Sequence, residues 1–490
     1  VHALPYTLHA NVDMIQRSQF DRVTRLQVVL NDLIHRISLN RKLMKQSFER
    51  VIEHDDFIRN LFQIYEKVDY SHKICMGVHR VDYMPHDFGD NVTIEDENDE
   101  MDGENDKNAN DESSVLQMVE LNTISSGLGV MTSKIAQMHN HFHELNRKSS
   151  SCASRGDGEQ STITTTTIDI PISESMKKIP HSLQLAHYIW IDEEQKRKRN
   201  KKQNGCNDGD DDDEREIVVL FVVQSDEGNI SDQRHLEYEL WNEYGVKCVR
   251  KSLEQLIACS RIESESNHLI VDDRYVVSVV YYRAGYDPKE YPTMDYWQVR
   301  ERMECSSAIS CPTVGYHLAG AKKMQQVIAD DDVLLELVDN DVDKWRAIKE
   351  TFTGIYSLVE ERHEPFIRDA IQNPERYVLK PHREGGGHLI VGDKMVSILS
   401  SKDRRTDQYV LMKKICPRPV PAVFVRDGVA QQVMSTSELG IYGVFIASGT
   451  TTFLNDHAGH LLRTKVAGTP EGGFWIGISV IDSLAFSKKE

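Results

Sequence analysis

The 490-residue chain predicts a mixed α/β (α+β) fold with more than one domain. Three observations carry that expectation. The continuous apolar run Glu216-Ile-Val-Val-Leu-Phe-Val-Val223 opens an alternation of strand and helix patterns that extends to Tyr282. Residues 16–68 repeat apolar side chains at helical spacing. The last third changes to short strand-like runs separated by turn residues, among them Asp427-Gly428.

Taken in order, Val23, Leu26, Leu30, Leu33 and Ile37 fall three or four apart, and Gln16 to Val68 reads as two or three packed helices. Gly77-Val-His-Arg-Val-Asp-Tyr83 reads as a strand leaving into a loop. Asn91 to Ser114 is acidic and almost free of apolar residues, and a second strand, Leu116 to Leu121, follows it. The tract is therefore expected to be the enlarged connection of a hairpin. Ser149 to Thr167, rich in Ser, Thr and Gly, reads as a loop. So does Lys196-Arg-Lys-Arg-Asn-Lys-Lys202; a nuclear-import address is the less favoured reading. After the strand at Glu216, a helix at Asp232–Tyr244, a strand at Val246–Val249, a helix at Leu253–Ala258 and a strand at Val276–Tyr282 complete a βαβαβ unit. Strands are expected at Tyr377–Lys380, Tyr409–Met412, Ala422–Val425 and Ala430–Val433. The resulting division is 1–215, 216–311 and 312–490.

A net charge of −19 argues against a nucleic-acid surface, which needs clustered Lys and Arg. Much of the excess sits in Glu95–Glu112 and Asp210–Glu214, so the folded body is less acidic than the total implies. No apolar run is long enough for a transmembrane helix. Eight cysteines without CxxC spacing fit scattered free thiols in a reducing compartment, not a zinc ribbon or a small disulfide scaffold. The chain begins at Val1, and a leader removed ahead of it would instead mean secretion.

Two segments carry chemistry. In Tyr377-Val-Leu-Lys-Pro-His-Arg-Glu-Gly-Gly-Gly-His388 a strand delivers Lys380 to a fixed point. Gly385, Gly386 and Gly387 then let backbone N–H groups approach phosphate oxygens, and Glu384 offers a hard oxygen to Mg²⁺. Standing alone, such a triplet is more often a flexible turn. Far away, Val119-Glu-Leu-Asn-Thr-Ile-Ser-Ser-Gly127 offers another carboxylate, an amide and hydroxyls where an apolar run breaks.

With these segments and Arg80-Val-Asp-Tyr-Met84, Asn229-Ile-Ser-Asp-Gln-Arg234, Tyr282-Arg-Ala-Gly-Tyr286, Leu318-Ala-Gly-Ala-Lys-Lys323, Leu411-Met-Lys-Lys-Ile415, Ser437-Glu-Leu-Gly-Ile441 and His460-Leu-Leu-Arg-Thr-Lys465, the chain resembles eukaryotic glutathione synthetases. These are ATP-grasp ligases, and the resemblance covers nearly the whole length. It implies an ATP-grasp fold with an inserted parallel-sheet substrate-binding subdomain and a Gly-rich lid. The implied reaction joins γ-glutamylcysteine to glycine, with ATP converting the carboxylate to an acyl phosphate, in a cytoplasmic homodimer. The rival reading is a diverged non-ligase that keeps nucleotide or thiol-peptide binding.

Residue by residue, the resemblance implies that Lys322, Lys380 and Lys465 bind ATP and that Glu120, Asn122 and Glu384 hold Mg²⁺. Met412 to Ile415 would be an edge strand whose backbone reads adenine. Glu438 would take the ribose hydroxyls, with Glu471 near the nucleotide. Arg80, Ser125, Ser126, Gly127, Asn229, Gln233, Arg283 and Tyr286 would hold the peptide, and Arg463 a carboxylate of the product. Several positions depart from the family pattern. Lys413 replaces a glutamate, Gly127 a serine, and His388, Leu389 and Val391 stand where polar lid residues are usual. Phe474 and Trp475 replace two small residues of the acceptor pocket, so glycine is expected to be handled with less than family efficiency.

Two tempting clusters are set aside. Alternate helix positions point about 200° apart, so His139-Asn-His-Phe-His143 does not converge on a metal. Cys305 and Cys311 lack a neighbouring base motif for nucleophilic work.

Overall fold

A computed structural model describes residues 5–12, 14–87, 114–153, 168–203, 215–382, 389–401, 407–469, 474 and 477–487. Four helical pieces follow one another at the start: Arg17–Leu39, Arg41–Phe48, Val51–His54 and Asp56–Lys67. The first buries the expected stripe of Val23, Leu26, Leu30, Leu33 and Ile37. Side-chain caps divide the run: Asn40 accepts from the Leu43 N–H, and Asp55 from those of Phe57 and Ile58.

The principal sheet has seven strands in the order Val420–Arg426, Tyr6–Thr7, Ser479–Asp482, Thr451–Val466, Val429–Ser448, Ile74–Asp87 and Ser114–Asn122. Val420–Arg426 also pairs with Val429–Ser448, so the sheet curls back on itself. That second contact is the predicted hairpin: Asp427 and Gly428 take φ of 48° and 78° between the paired Arg426 and Val429. The expected short strand at Ala430–Val433 is only the start of a 20-residue strand.

Ile74–Asp87 and Ser114–Asn122 pair antiparallel, with Asp87 opposite Ser114. The flanks of the acidic tract thus form the expected hairpin, while residues 91–112 lie outside the described residues. Replacing 91–112 by a short turn should change stability by only about 1 kcal/mol, because closure entropy depends weakly on loop length. Urea unfolding of the shortened variant checks this, and a loss of several kcal/mol would contradict it.

The second sheet runs Cys248–Lys251, Glu216–Val222, Tyr275–Tyr282, Leu269–Val271 and Ser260–Ile262, with Ile309–Cys311 also on Tyr275–Tyr282. Glu216–Val222 is parallel to both of its neighbours. The strand expected from Val246 begins at Cys248 because the preceding residues are used to end the helix Ile230–Tyr244. Gly245 takes φ 65°, and the Val246 N–H donates to the Leu240 carbonyl.

Two loop expectations are corrected. Helix Gly129–Ala153 takes in the start of the segment from Ser149, whose residues 154–167 lie outside the described residues. Helix Ser175–Gln203 contains the whole basic run Lys196–Lys202. Its ion pairs supply local support: Lys196 lies 2.8 Å from both Asp192 and Glu193. On the earlier helix, His139 shares Nδ1 with the Ser483 hydroxyl at 2.9 Å and Nε2 with the Thr7 carbonyl at 2.7 Å. It is a satisfied core histidine, in keeping with its spacing.

A separate three-stranded antiparallel sheet holds Ile355–Ser357, Tyr409–Lys413 and Tyr377–Pro381, with Tyr409–Lys413 in the middle. Among the described residues no helix is long and apolar enough to cross a membrane. Cys75, Cys248, Cys259, Cys305, Cys311 and Cys416 are free thiols.

Buried histidines give the fold a pH dependence. Burial pushes His79, His317 and His460 from 6.5 down to about 3, and His187 and His382 to about 4. Below the ordinary value the unfolded chain takes up protons that the folded chain refuses. Stability is therefore level above about pH 6.5 and falls through the window down to about 3, by up to about 1.4 kcal/mol per unit for each histidine. Melting temperatures measured from pH 7 to about 5 should drop steeply; a flat profile would contradict the assignment.

Candidate active site

Period-two alternation along Ile74–Asp87 places Arg80 and Asp82 on one face of the principal sheet. Across one ladder they meet Asn122 and Glu120, and across the other Tyr442 and Gly440. Glu438 is registered against Arg463 on the next strand. One face of adjacent strands thus gathers residues from four distant motifs.

Asp82 is their meeting point and is fully buried. Its carboxylate accepts from Arg80 Nε at 2.6 Å and Nη2 at 2.8 Å, from Asn122 Nδ2 at 3.0 Å and from Arg463 Nη2 at 2.9 Å. Arg463 also donates to Glu438. Gly440 makes room for the group: a Cβ there would lie 2.7 Å from Arg80 Cδ and 2.8 Å from Asp82 Oδ1. Carboxylate oxygens of Asp82, Glu120 and Glu438 all fall within 4.8 Å of one another.

The lysines close on this face from other elements. Lys322, at the start of helix Lys322–Val327, places Nζ 3.1 Å from Glu120 Oε2. Gly320 allows its loop to lie against the 119–127 segment, since a Cβ would be 2.3 Å from Thr123 Oγ1. Lys380, near the end of Tyr377–Pro381, donates to the Val119 carbonyl at 3.3 Å. Lys465 is buried two residues beyond Arg463 on the same strand.

These charges tune one another. Burial alone would raise the Glu120 pKa, but Lys322, Lys380 and Arg463 hold it well below the carboxylate range. Burial, with Asp82 and Glu120 nearby, raises Glu438 against the pull of Arg463 and Lys465. Burial, aided by Lys322, lowers Lys380 despite Glu120. The face is a cationic rim over clustered acids, suited to a polyanion together with a hard cation.

The second group lies beside it. Arg283 Nη1 donates to the Ser126 carbonyl at 2.6 Å, and Ser125, at φ 53°, donates through Oγ to the Tyr282 carbonyl at 3.3 Å. Gly127 is placed by a long Arg80 contact of 3.5 Å and by the Tyr442 hydroxyl, both on its carbonyl. A Cβ at Gly127 would come within 2.6 Å of Arg283 Nη2 and 2.7 Å of Asn229 Nδ2. Glycine at this position thus lets those two side chains approach. Gln233 is held between Glu227 at 2.6 Å and Arg250 at 2.7 Å, and Tyr286 accepts from Gln224 at 3.1 Å.

Other expected residues stand apart or out of view. Met412 packs with Ile355, Val378 and Val410, while half-buried Ile415 follows the strand's end. The expectation of an edge strand here is corrected. Tyr409–Lys413 is paired on both sides, and the N–H groups of Lys413 and Lys414 already donate to the Gly354 and Arg376 carbonyls at 2.8 Å. Phe474 is buried in a core cluster that includes Leu128 and Tyr442. Glu384, Gly385, Gly386, Gly387, His388, Glu471 and Trp475 lie outside the described residues.

Sequence reasoning passes over Asp82, Gly440 and Asp232. The last caps helix Gly129–Ala153, accepting from the N–H groups of Leu128 at 3.0 Å and Val130 at 2.8 Å. Asp82 has a usable signal: on a strand, it shares a face with the arginine two residues before it.

A sheet face that assembles lysines, arginines and clustered carboxylates beside a second group of polar side chains suits a ligase that uses a nucleotide. Residues 2–486 match the family described as eukaryotic glutathione synthase, ATP binding domain. Glutathione synthetase of Dictyostelium discoideum is 32% identical over 491 residues, covering 98% of this chain and 90% of the relative. That of Xenopus laevis is 31% identical over 477 residues, covering 96% and 87%. A glutathione synthetase-like effector from Globodera pallida, solved in its apo form, shares the fold with a TM-score of 0.68 at 18% identity, over 99% of this chain and 90% of that one. The chain belongs to the eukaryotic glutathione synthase family and is an ATP-dependent ligase of that type.

Proposed function

We propose that the protein joins the cysteinyl carboxylate of γ-glutamylcysteine to an amino acid, glycine by family membership, with conversion of ATP to ADP and phosphate. The single observation that carries this reading is the convergence of Lys322, Lys380, Arg463, Glu120 and Asn122 beside the Arg283–Gly127–Asn229 group. Glu120 and Asn122 offer oxygens of the type Mg²⁺ takes, and the low pKa of Glu120 keeps it ionised for that purpose. Bound there, Mg²⁺ would neutralise phosphate charge. Lys322, Lys380 and Lys465 bind and orient the triphosphate. Arg80, Ser125, Ser126, Asn229, Gln233, Arg283 and Tyr286 hold the peptide so that its carboxylate faces the phosphate, and Arg463 steadies a carboxylate of the product. No side chain need act as a nucleophile.

Glu438 would take the ribose hydroxyls; its place among the acids near Asp82 also fits a metal-side or phosphate-side role. Met412 and Ile415 would cover adenine with apolar surface, and Glu384, Gly385, Gly386, Gly387 and Glu471 would complete the nucleotide site. The proposed assembly is a homodimer and the proposed location cytoplasmic, both by family membership. ADP release with Mg·ATP, γ-glutamylcysteine and a panel of glycine, alanine and serine tests the reading. Release is expected only when peptide and an acceptor are both present, and release independent of the peptide would overturn it.

A further inference from the structure

The Asn122 amide has a defined orientation: Nδ2 donates to Asp82 Oδ2 at 3.0 Å, which leaves Oδ1 as the end turned away from that carboxylate. An amide offers a metal only its oxygen, so the difference between the two orientations is the difference between a ligand and a repelled N–H group. Asp82 cannot serve readily as a ligand itself. Its Oδ2 already meets Arg80 Nη2, Asn122 Nδ2 and Arg463 Nη2, and its Oδ1 meets Arg80 Nε and lies against Gly440 of the neighbouring strand. It is fully buried, and Gly440 keeps the opposite strand clear of it.

We propose that Asp82 is a positioning residue of the ligase site, turning the Asn122 oxygen toward the divalent cation and tying Arg80 and Arg463 to the same point. The inference rests on the reading of Asn122 as a magnesium ligand. Asp82→Asn keeps the volume but sets an N–H₂ group against the donors it must accept, so Asn122 loses the partner that fixes it. Partners of this kind are typically worth about 10–100-fold in metal affinity.

The test is Mn²⁺ titration by electron paramagnetic resonance on full-length protein holding ADP, a readout independent of turnover. Asp82→Asn, Asn122→Ala, the exchange Asp82→Asn/Asn122→Asp and its control Asp82→Ala/Asn122→Asp are compared with the parent. Asp82→Asn and Asn122→Ala are each expected to weaken Mn²⁺ at least about 10-fold. The exchange variant, in which amide and carboxylate trade places and the amide becomes the donor from the other strand, should recover most of that loss. It also decides the matter if Asp82→Asn does not fold, by binding Mn²⁺ more tightly than Asp82→Ala/Asn122→Asp, which has the same carboxylate at 122 and no partner for it. Loss in Asn122→Ala with parental binding in Asp82→Asn would overturn the positioning role alone. An exchange variant no better than Asp82→Ala/Asn122→Asp would do the same. Parental binding in Asn122→Ala would overturn the metal reading and this inference with it.

Discussion

Lys380→Met is expected to slow ADP release by about 100-fold or more while the protein stays folded. The side chain delivers a cation from the end of Tyr377–Pro381 to the face that holds Glu120, with Nζ 3.3 Å from the Val119 carbonyl. Charge stabilisation of this kind is worth about 3 kcal/mol or more, and each 1.4 kcal/mol is about tenfold in rate. The folded state holds this ammonium less well than water does, since burial and Lys322 lower its pKa. Methionine should therefore leave the melting temperature unchanged or raised. Steady-state ADP release and thermal melts on the same preparation measure both effects. Parental turnover at saturating substrates would mean that the Gly-rich motif has been misassigned.

Arg463→Met acts differently, through stability as well as activity. Its guanidinium is shared by Asp82 and Glu438, with Glu120 close behind. Removing it leaves buried carboxylates facing one another, an arrangement that typically costs about 3–5 kcal/mol. The pH dependence has a definite sign. Burial and the neighbouring acids already raise the Glu438 pKa, and loss of Arg463 raises it further. The protonated form is then the one the fold tolerates, so the variant loses more stability as pH rises through that titration and less as pH falls. Adding Glu438→Gln should restore part of the loss at neutral pH. Urea unfolding measures each step, and a single-variant loss under about 1 kcal/mol would show that the cluster is screened by solvent.

The sequence is most legible where one physical signal dominates. Glu216–Val222 is buried among parallel neighbours and reads as an unbroken apolar run. The site motifs are legible because glycines and charges recur in fixed local patterns. Helix Ser175–Gln203 is hidden because Pro180 and a charged tail resemble a loop, although Ile179, Leu183, Ala186 and Trp190 keep helical spacing into the core. The edge strand that the resemblance implies at Met412 to Ile415 is not one at Met412, because Ile355–Ser357, only three residues long and too short to read from the sequence, pairs there as a second neighbour. Asp82 is obscure for a related reason. Its importance comes from pairing across strands, which brings Asn122 and Arg463 to it from distant parts of the chain.

The most direct measurement follows oxygen. γ-Glutamylcysteine labelled with ¹⁸O in both oxygens of its cysteinyl carboxylate is supplied with Mg·ATP and the acceptor that supports ADP release. The carboxylate oxygen that attacks the γ-phosphorus stays with phosphate when the amine takes the acyl carbon. One ¹⁸O is expected in each released phosphate, and the peptide product keeps the other and is heavier than the labelled γ-glutamylcysteine by the acceptor less H₂¹⁸O. ADP formed with unlabelled phosphate, or without a peptide product, would contradict it.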